Sequence, residues 1–272
     1  MTPKTVLITG ASSGIGKAAA RYFAAQGWNV AATMRSPHKE TELNQLPQVK
    51  LFALDVTDPA SIAQAIADAR KAFGRIDALV NNAGYGADGI FEAMSDEVIR
   101  NQFDTNVFGL MRVTRAIIPV MREQGGGVIL QVSSMGGRLA FPLFSIYHGT
   151  KWAVEGFSEA LHYELSPFGI RVKLIEPGAI RTEFMGRSRV EVKPEQLPQY
   201  QAFVDQCNRV SEGTSQTGDS PEVVAKTIFR AAADGSRRMR YATGSPAPLL
   251  LWLRKRIPDS WWFAIVRGTY KI

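Results

Sequence analysis

Cysteine is nearly absent from this chain. A single thiol, Cys207, in 272 residues excludes an internal disulfide and fits a reducing compartment. It has no thiol partners for a metal site and reads as a buried or incidental side chain. Histidine is scarce too, and none of His38, His148 and His162 has the spacing of a metal-binding pair. No apolar run approaches the ~18 residues needed to cross a bilayer. Met1-Thr2-Pro3-Lys4 leads into an apolar stretch without the layout of a signal peptide, so the expected setting is cytoplasmic. Net charge is missing from most of the chain. Residues 1–236 hold 24 basic and 24 acidic side chains and give no ground for a nucleic-acid partner. The formal charge of +7 lies wholly between Arg237 and Ile272, where eight Lys or Arg face the single acid Asp259.

What is present is the composition of one sizeable folded unit, 45% hydrophobic and 21% charged. The expected division is a single catalytic domain over 1–246 and a basic aromatic extension over 247–272. Short uninterrupted apolar runs at 4–9, 28–34, 49–54, 76–80, 128–132, 170–175 and 239–242 read as buried strands. Helical patterns lie between them: from Gly16 to Gln26, from Pro59 to Phe73 behind the cap Asp58, from Ser95 to Gln124, from Tyr147 to Leu165, and from Pro221 to Ala233 behind Ser220. Alternation of this kind predicts an α/β fold, a doubly wound parallel sheet of seven strands with helices on both faces. Gly10–Gly16, Asp55, Asn81–Gly84, Ser134 and Pro177-Gly178 all fall where strands end, on the ligand-binding edge of such a sheet. The stretch 181–219 is too long for a plain connection and is a candidate substrate lid.

Tyr147-His148-Gly149-Thr150-Lys151 opens the fourth of these helices. Residues four apart share a helix face, so the spacing sets the Tyr147 phenol beside the Lys151 ammonium. A unit charge at ~4 Å and an effective dielectric of ~20 is worth roughly 4 kcal/mol. That would draw the phenol from its ordinary value near 10 toward neutral pH, where it can both give and take a proton. His148 points about 100° around the helix and reads as structural. Asp88, Glu92 and Asp96 read as surface charges. Gly10 to Gly16 joins a strand to a helix, the setting in which free backbone N–H groups and a helix dipole cradle a pyrophosphate.

As an ordered set these motifs resemble the short-chain dehydrogenase/reductase family, of the carbonyl reductase and hydroxysteroid dehydrogenase kind. The family's Thr-Gly-x-x-x-Gly-x-Gly matches Thr9–Gly16, its Asn-Asn-Ala-Gly matches Asn81–Gly84, and its mid-helix asparagine matches Asn106. Its serine thirteen residues before the tyrosine matches Ser134, its Tyr-x-x-x-Lys matches Tyr147 and Lys151, and its Pro-Gly followed by threonine matches Pro177, Gly178 and Thr182. Gly149-Thr150 departs slightly from the usual Ala-Ser. The resemblance implies a Rossmann-like sheet and a hydride transfer between a nicotinamide and a carbonyl or alcohol, with no metal. It implies that Ser134 bonds the substrate oxygen, that Tyr147 moves the proton, that Lys151 lowers the tyrosine's pKa and holds the ribose, and that Asn106 orders a water leading to solvent. It implies a dinucleotide held by Gly10, Ser12, Ser13, Gly14, Ile15, Gly16, Asp55, Val56, Asn82, Ala83, Gly84, Pro177, Gly178, Ile180 and Thr182, together with Tyr147 and Lys151. It also implies a homodimer or homotetramer built on the helices near 107–121 and 152–165, with Trp152 on that face.

The second strand ends in Thr33-Met34-Arg35-Ser36, and no acid follows until Glu40. An acid there would hold the ribose 2′-hydroxyl of NAD, whereas Arg35 suits the 2′-phosphate of NADP. The favoured cofactor is therefore NADP(H), with NAD(H) second. Phe141, Phe144, Phe184 and Met185 would wall a pocket for a lipophilic ketone, aldehyde, sterol or retinoid-like compound, or else belong to the core. The reading that leads is an NADP(H)-dependent oxidoreductase acting on a small-molecule carbonyl or alcohol. Behind it stand an NAD(H)-linked dehydrogenase of the same fold and a non-catalytic dinucleotide-binding regulator. In the C-terminal extension, Trp252, Trp261 and Trp262 lie among Lys and Arg. Packing on the domain or over the pocket is favoured there over contact with an anionic membrane surface.

Overall fold

The computed structural model describes residues 2–182 and 189–272. Seven apolar runs form strands: β1 (Thr5–Ile8), β2 (Asn29–Met34), β3 (Val49–Ala53), β4 (Ala78–Asn81), β6 (Gly127–Val132), β7 (Ile170–Pro177) and β9 (Arg240–Thr243). They pair in parallel in the order β3-β2-β1-β4-β6-β7-β9, the expected Rossmann-like doubly wound sheet. Helices α1 (Gly14–Ala25) and α7 (Pro221–Ala233) bury their apolar stripes on one face. Helices α2 (Pro59–Phe73), α4 (Leu110–Glu123) and α5 (Ser145–Leu165) cover the other. With both faces closed, the strands read as continuous apolar runs because both sides of each residue row are buried. Chain order reverses between β1 and β4, which opens a crevice at the carboxyl edge.

Local chemistry sets several boundaries. The Asp58 carboxylate accepts the Ala60 N–H and Pro59 opens α2, so cap and first residue agree. Gly125 and Gly126 take φ of +82° and +142° after α4, a conformation that stops the helix and turns the chain into β6.

The structure corrects four expectations. The helix expected from Ser95 to Gln124 is three pieces: α3 (Asp96–Phe103), a π-helical turn over Asp104–Gly109, and α4. The wide turn seats Gly109 against Val56, where a Cβ would lie 2.7 Å from Val56 Cγ2. The stretch 181–219 is not irregular throughout. It contributes β8 (Arg189–Val192), which pairs in parallel with β5 (Gly86–Gly89) in a second sheet, and α6 (Gln201–Gln216). Asp88 is not a surface charge. It is buried on β5 and accepts two 2.6 Å hydrogen bonds from Arg189, a fork that fastens β8 to the body. Nor do all the C-terminal aromatics pack inward. The chain ends in α8 (Ala247–Arg254) and α9 (Asp259–Tyr270), where Trp262 and Tyr270 are buried but Trp252 and Trp261 are exposed. Among the described residues no helix is long and apolar enough to cross a membrane.

A buried cation sits in the middle of β7. The Lys173 ammonium, fully enclosed, donates to Ala231 O at 2.8 Å, Asp234 Oδ1 at 2.6 Å and Tyr241 Oη at 3.1 Å. Burial pushes the Asp234 carboxyl up, but hydrogen bonds from Lys173, Tyr241 and Ser236 outweigh it and hold the group far below the usual carboxylate range. Its contribution to stability is therefore complete above the ordinary carboxylate pKa and is lost as the pH falls toward the lower folded value. Asp234→Ala is expected to strand a buried charge and cost about 3–5 kcal/mol in urea unfolding at neutral pH. Lys173→Met should cost much less, because Asp234 reaches solvent and a straight apolar chain refills the space.

Candidate active site

The carboxyl edge of the main sheet carries a cavity of about 1030 Å³. One end is lined by Gly10, Ser12, Ser13, Gly14 and Ile15, from the turn between β1 and α1. Gly10 needs its φ of +66°, and a Cβ on it would stand 2.9 Å from Ala83 Cα. The backbone of that turn is thus left bare toward the cavity, with the start of α1 behind it, as an approaching pyrophosphate requires. Gly16 faces inward and packs on Gly10 O and Asn82 Nδ2. The Asn82 side chain donates to Thr9 O at 3.0 Å and Gly10 O at 3.1 Å, and Thr9 Oγ1 accepts the N–H groups of Asn82 and Ala83. The ends of β1 and β4 are stitched into one surface. Thr182 lies across this turn, its side chain 3.3 Å from where a Gly14 Cβ would be. Asp55, Val56, Ala83, Gly84, Pro177, Gly178 and Ile180 complete the lining, so the sequence candidates for the dinucleotide converge on one surface, except Gly16, which packs behind it.

At the end of β2, Arg35, Ser36 and Lys39 face the same space. Arg35 is exposed and close enough to Asp55 to favour its ionised form. Burial pushes that carboxyl up, while Thr57 hydrogen bonds and Arg35 bring it below its ordinary value. Glu40 is unavailable to a ribose. It is buried, accepts the N–H groups of Glu42 and Leu43, and pairs with Lys17 at 3.2 Å.

At the opposite end stand Ser134, Tyr147 and Lys151. Ser134 Oγ accepts the Gly136 N–H at 3.0 Å and hydrogen-bonds the Tyr147 phenol. Lys151 is buried one turn beyond, its Nζ donating to Val132 O at 2.9 Å and lying 5.8 Å from the centre of the Tyr147 ring. The expected lowering of the tyrosine is not found. Burial raises the phenol to about 12, with the Ser134 hydrogen bond pulling the other way. Burial also lowers Lys151 to about 8, against the pull of the Glu155 carboxylate. The helical spacing counts the attraction between the two groups but not the desolvation of both, and desolvation wins. Asn106, on the π-helical turn, is buried. It accepts the Tyr85 N–H at 3.1 Å and donates to Tyr85 O at 2.9 Å and to Thr150 Oγ1 at 3.3 Å. It thereby ties Tyr85, just before β5, to Thr150, the residue before Lys151.

Sequence reasoning missed the charges beneath Lys151. Glu155 and Glu176 are buried, and Arg240 donates to Glu155 at 3.0 Å and lies 3.5 Å from Glu176. Arg138 bonds Glu176 at 3.3 Å, and Arg240 also reaches Glu159 at 2.6 Å. Burial and Glu176 push Glu155 up to about 7, opposed by hydrogen bonds with Ser133 and Arg240. Glu155 could have been found, since it repeats the four-residue step from Tyr147 to Lys151. Arg138, Glu176 and Arg240 could not, because only the fold brings their elements together.

Phe141 and Phe144 line the cavity. The Phe144 ring meets Tyr147 edge-on at 6.3 Å, and the Phe141 ring is 6.4 Å from that of Trp262. Phe184 and Met185 lie outside the described residues. His148 is buried beside Phe141 and Phe144, and its Nδ1 is 3.0 Å from Gly136 O. Burial brings its pKa down to about 4, the Gly136 bond opposing, so the ring is neutral. Met135, Leu250, Trp262, Val266 and Tyr270 add to this apolar end, so the C-terminal helices supply one of its walls. Among the described residues no cluster of His, Cys, Asp and Glu is arranged to hold a metal.

The model of the short chain dehydrogenase family matches residues 4–193. The oxidoreductase YusZ of Bacillus subtilis is 38% identical over 98% of both chains, and the 3-ketodihydrosphingosine reductase of Bacteroides thetaiotaomicron is 33% identical over the whole of both. Among solved structures, a short-chain dehydrogenase from Streptomyces avermitilis superposes with a TM-score of 0.82 at 36% identity over 99% of each chain. ElxO with NADP bound (TM-score 0.72, 27% identity, 88% of this chain and 97% of that one) and a Burkholderia phymatum enzyme in complex with NAD (0.79, 25%, 93% and 92%) share the fold with opposite cofactors. The chain belongs to the short-chain dehydrogenase family and is an oxidoreductase with a site for a nicotinamide dinucleotide.

Proposed function

We propose that this protein is an NADP(H)-dependent reductase of a lipophilic carbonyl compound, with Tyr147 as the proton donor. The observation that carries the reading is the meeting of Ser134, Tyr147 and Lys151 at the apolar end of the cavity whose other end is the glycine turn. The cofactor supplies the hydride when bound. Ser134 holds the substrate oxygen, and Tyr147, whose buried phenol keeps its proton, gives it to that oxygen. Lys151 is positioned by Val132 O and supported in its charged form by Glu155. Asn106 fixes the start of the Lys151 turn through Thr150 and Tyr85. Phe141, Phe144, Trp262 and Tyr270 at this end favour a substrate with a long or fused apolar body. The 3-keto compound in the name of the Bacteroides relative, 3-ketodihydrosphingosine reductase, agrees with reduction of a carbonyl. Phe108 and Trp152, both exposed, support a homo-oligomer through the helices that carry them.

Arg35 and Lys39 at the ribose end, with Glu40 already engaged, favour NADP(H) over NAD(H). A non-catalytic regulator would have no use for the Ser134, Tyr147 and Lys151 constellation.

Turnover of a panel of lipophilic ketones with NADPH tests the reading. Tyr147→Phe is expected to bind NADPH normally and lose on the order of 10²–10⁴ in kcat; near wild-type turnover would refute the assignment. Arg35→Asp should shift the ratio of kcat/KM for NADPH over NADH by at least about tenfold toward NADH, since it removes an attraction and adds a repulsion. An unchanged ratio would show that Arg35 does not read the phosphate.

The pH profile gives a third check. If reduction needs the charged Lys151, its rate should fall on the alkaline side near the lysine's value of about 8. Glu155→Gln removes a negative charge that supports that ammonium, while Glu176, Glu159, Arg138 and Arg240 remain around the site. The alkaline limb should then move to lower pH, and Glu155→Asp should restore part of it. A limb that stays in place would mean that Glu155 does not act on Lys151.

A further inference from the structure

Helix α9 buries a single stripe. Trp262, Val266 and Tyr270, four residues apart, turn toward the cavity and the clusters around Leu139 and Leu143. Residues off that stripe would be polar if α9 were an ordinary surface helix. Instead Trp261 is 65% exposed, Phe263 53% and Ile265 44%. Helix α8 repeats the pattern, with Ala247 and Leu251 buried while Leu249 is 65% and Trp252 53% exposed. The two helices thus expose a second set of apolar side chains: Leu249 and Trp252 share the outer face of α8, and Trp261 and Phe263 flank the buried stripe of α9.

Cations surround these side chains. Residues 247–272 hold Arg254, Lys255, Arg256, Arg267 and Lys271 and one acid, Asp259, which Arg254 engages. The Arg256 guanidinium lies 4.3 Å from the centre of the exposed Trp252 ring, so charge and aromatic surface are presented together. From these observations we infer that α8 and α9 form a docking surface for an anionic lipid bilayer, with Trp252, Trp261 and Phe263 entering the headgroup boundary and the Lys and Arg side chains at the phosphates.

Charge complementarity selects this occupant. A second copy docking through the same face would set these cations against their own equivalents. Neutral lipid would leave them unanswered, and aliphatic groups such as Leu249 and Ile265 give nothing to a polar partner. Neither helix is long enough to span, so the contact is peripheral. The surface also has a place in the proposed reaction. Leu250, Trp262, Ile265, Val266 and Tyr270 line the cavity from these same helices, so docking brings the wall of the apolar end against the bilayer. A lipophilic substrate would then pass from lipid to Ser134 and Tyr147 with little exposure to water; this route rests on the proposed function, whereas the docking surface does not.

The test uses the full chain and vesicles of phosphatidylcholine, alone or with about one-third phosphatidylserine. The protein should sediment with the anionic vesicles at low salt, release as salt rises toward physiological strength, and stay in the supernatant with phosphatidylcholine alone. Trp261→Ala/Phe263→Ala should weaken anionic-vesicle binding by about tenfold or more, and Arg267→Glu/Lys271→Glu should abolish it, with thermal unfolding and NADPH binding as in wild type. Wild-type protein that remains in solution with anionic vesicles at low salt overturns the proposal. So does equal binding to both vesicle types, or a double variant whose only change is dissociation of an oligomer in sedimentation velocity. Vesicle binding with no effect of vesicles on the KM for a lipophilic ketone supports the surface and overturns the delivery route.

Discussion

A buried ammonium is stable only where fixed dipoles and opposite charge replace the water it has lost, and the arrangement around Lys151 follows from that constraint. The carbonyl of Val132 meets it directly at the end of β6. Glu155 meets it electrostatically from one turn along α5. Glu155 is itself buried, and Arg240 from β9 neutralises it. Arg240 also approaches Glu176 at the end of β7, and Arg138, four residues after Ser134, binds Glu176 from the other side. One chain of charges therefore links the serine turn, the tyrosine helix, the strand beside the cofactor candidates and the last strand. Displacing any one of these elements would leave a charge buried without its partner.

A second constraint is geometric. A parallel sheet covered on both faces can offer a ligand only its edges, and the strand ends at the carboxyl edge are irregular and free of helix packing. The turn after β1 needs bare backbone there, so glycine occupies it. That turn would be a loose loop if Asn82 and Thr9 did not bind the two central strand ends together. The π-helical turn around Asn106 serves the same edge, widening one helix so that its asparagine reaches the backbone of Tyr85.

The C-terminal helices join two surfaces that the rest of the chain keeps apart. Their inner stripe closes the apolar end of the cavity, and on their exposed side Arg256 lies against the Trp252 ring, beside the exposed Trp261 and Phe263. The balance of charge elsewhere in the chain makes that side distinct.

Much of the fold was legible in the sequence because its determinants are local. Uninterrupted apolar runs mark the strands, Asp58-Pro59 and the glycines after Glu123 mark helix ends, and the four-residue step from Tyr147 to Lys151 puts both on one face of α5. Arg35 at the end of β2, where an acid is absent, was equally plain. Nothing local could say that Asp88 meets Arg189, that Glu40 is taken by Lys17, or that Trp262 turns inward while its neighbour Trp261 turns out. Burial is a property of the assembled chain, and it reversed the expected direction of the Tyr147 pKa. By itself the sequence determined which groups are present and which helix faces they share. Only the tertiary structure decided which of them lose their water, and with that loss how strongly each holds its proton.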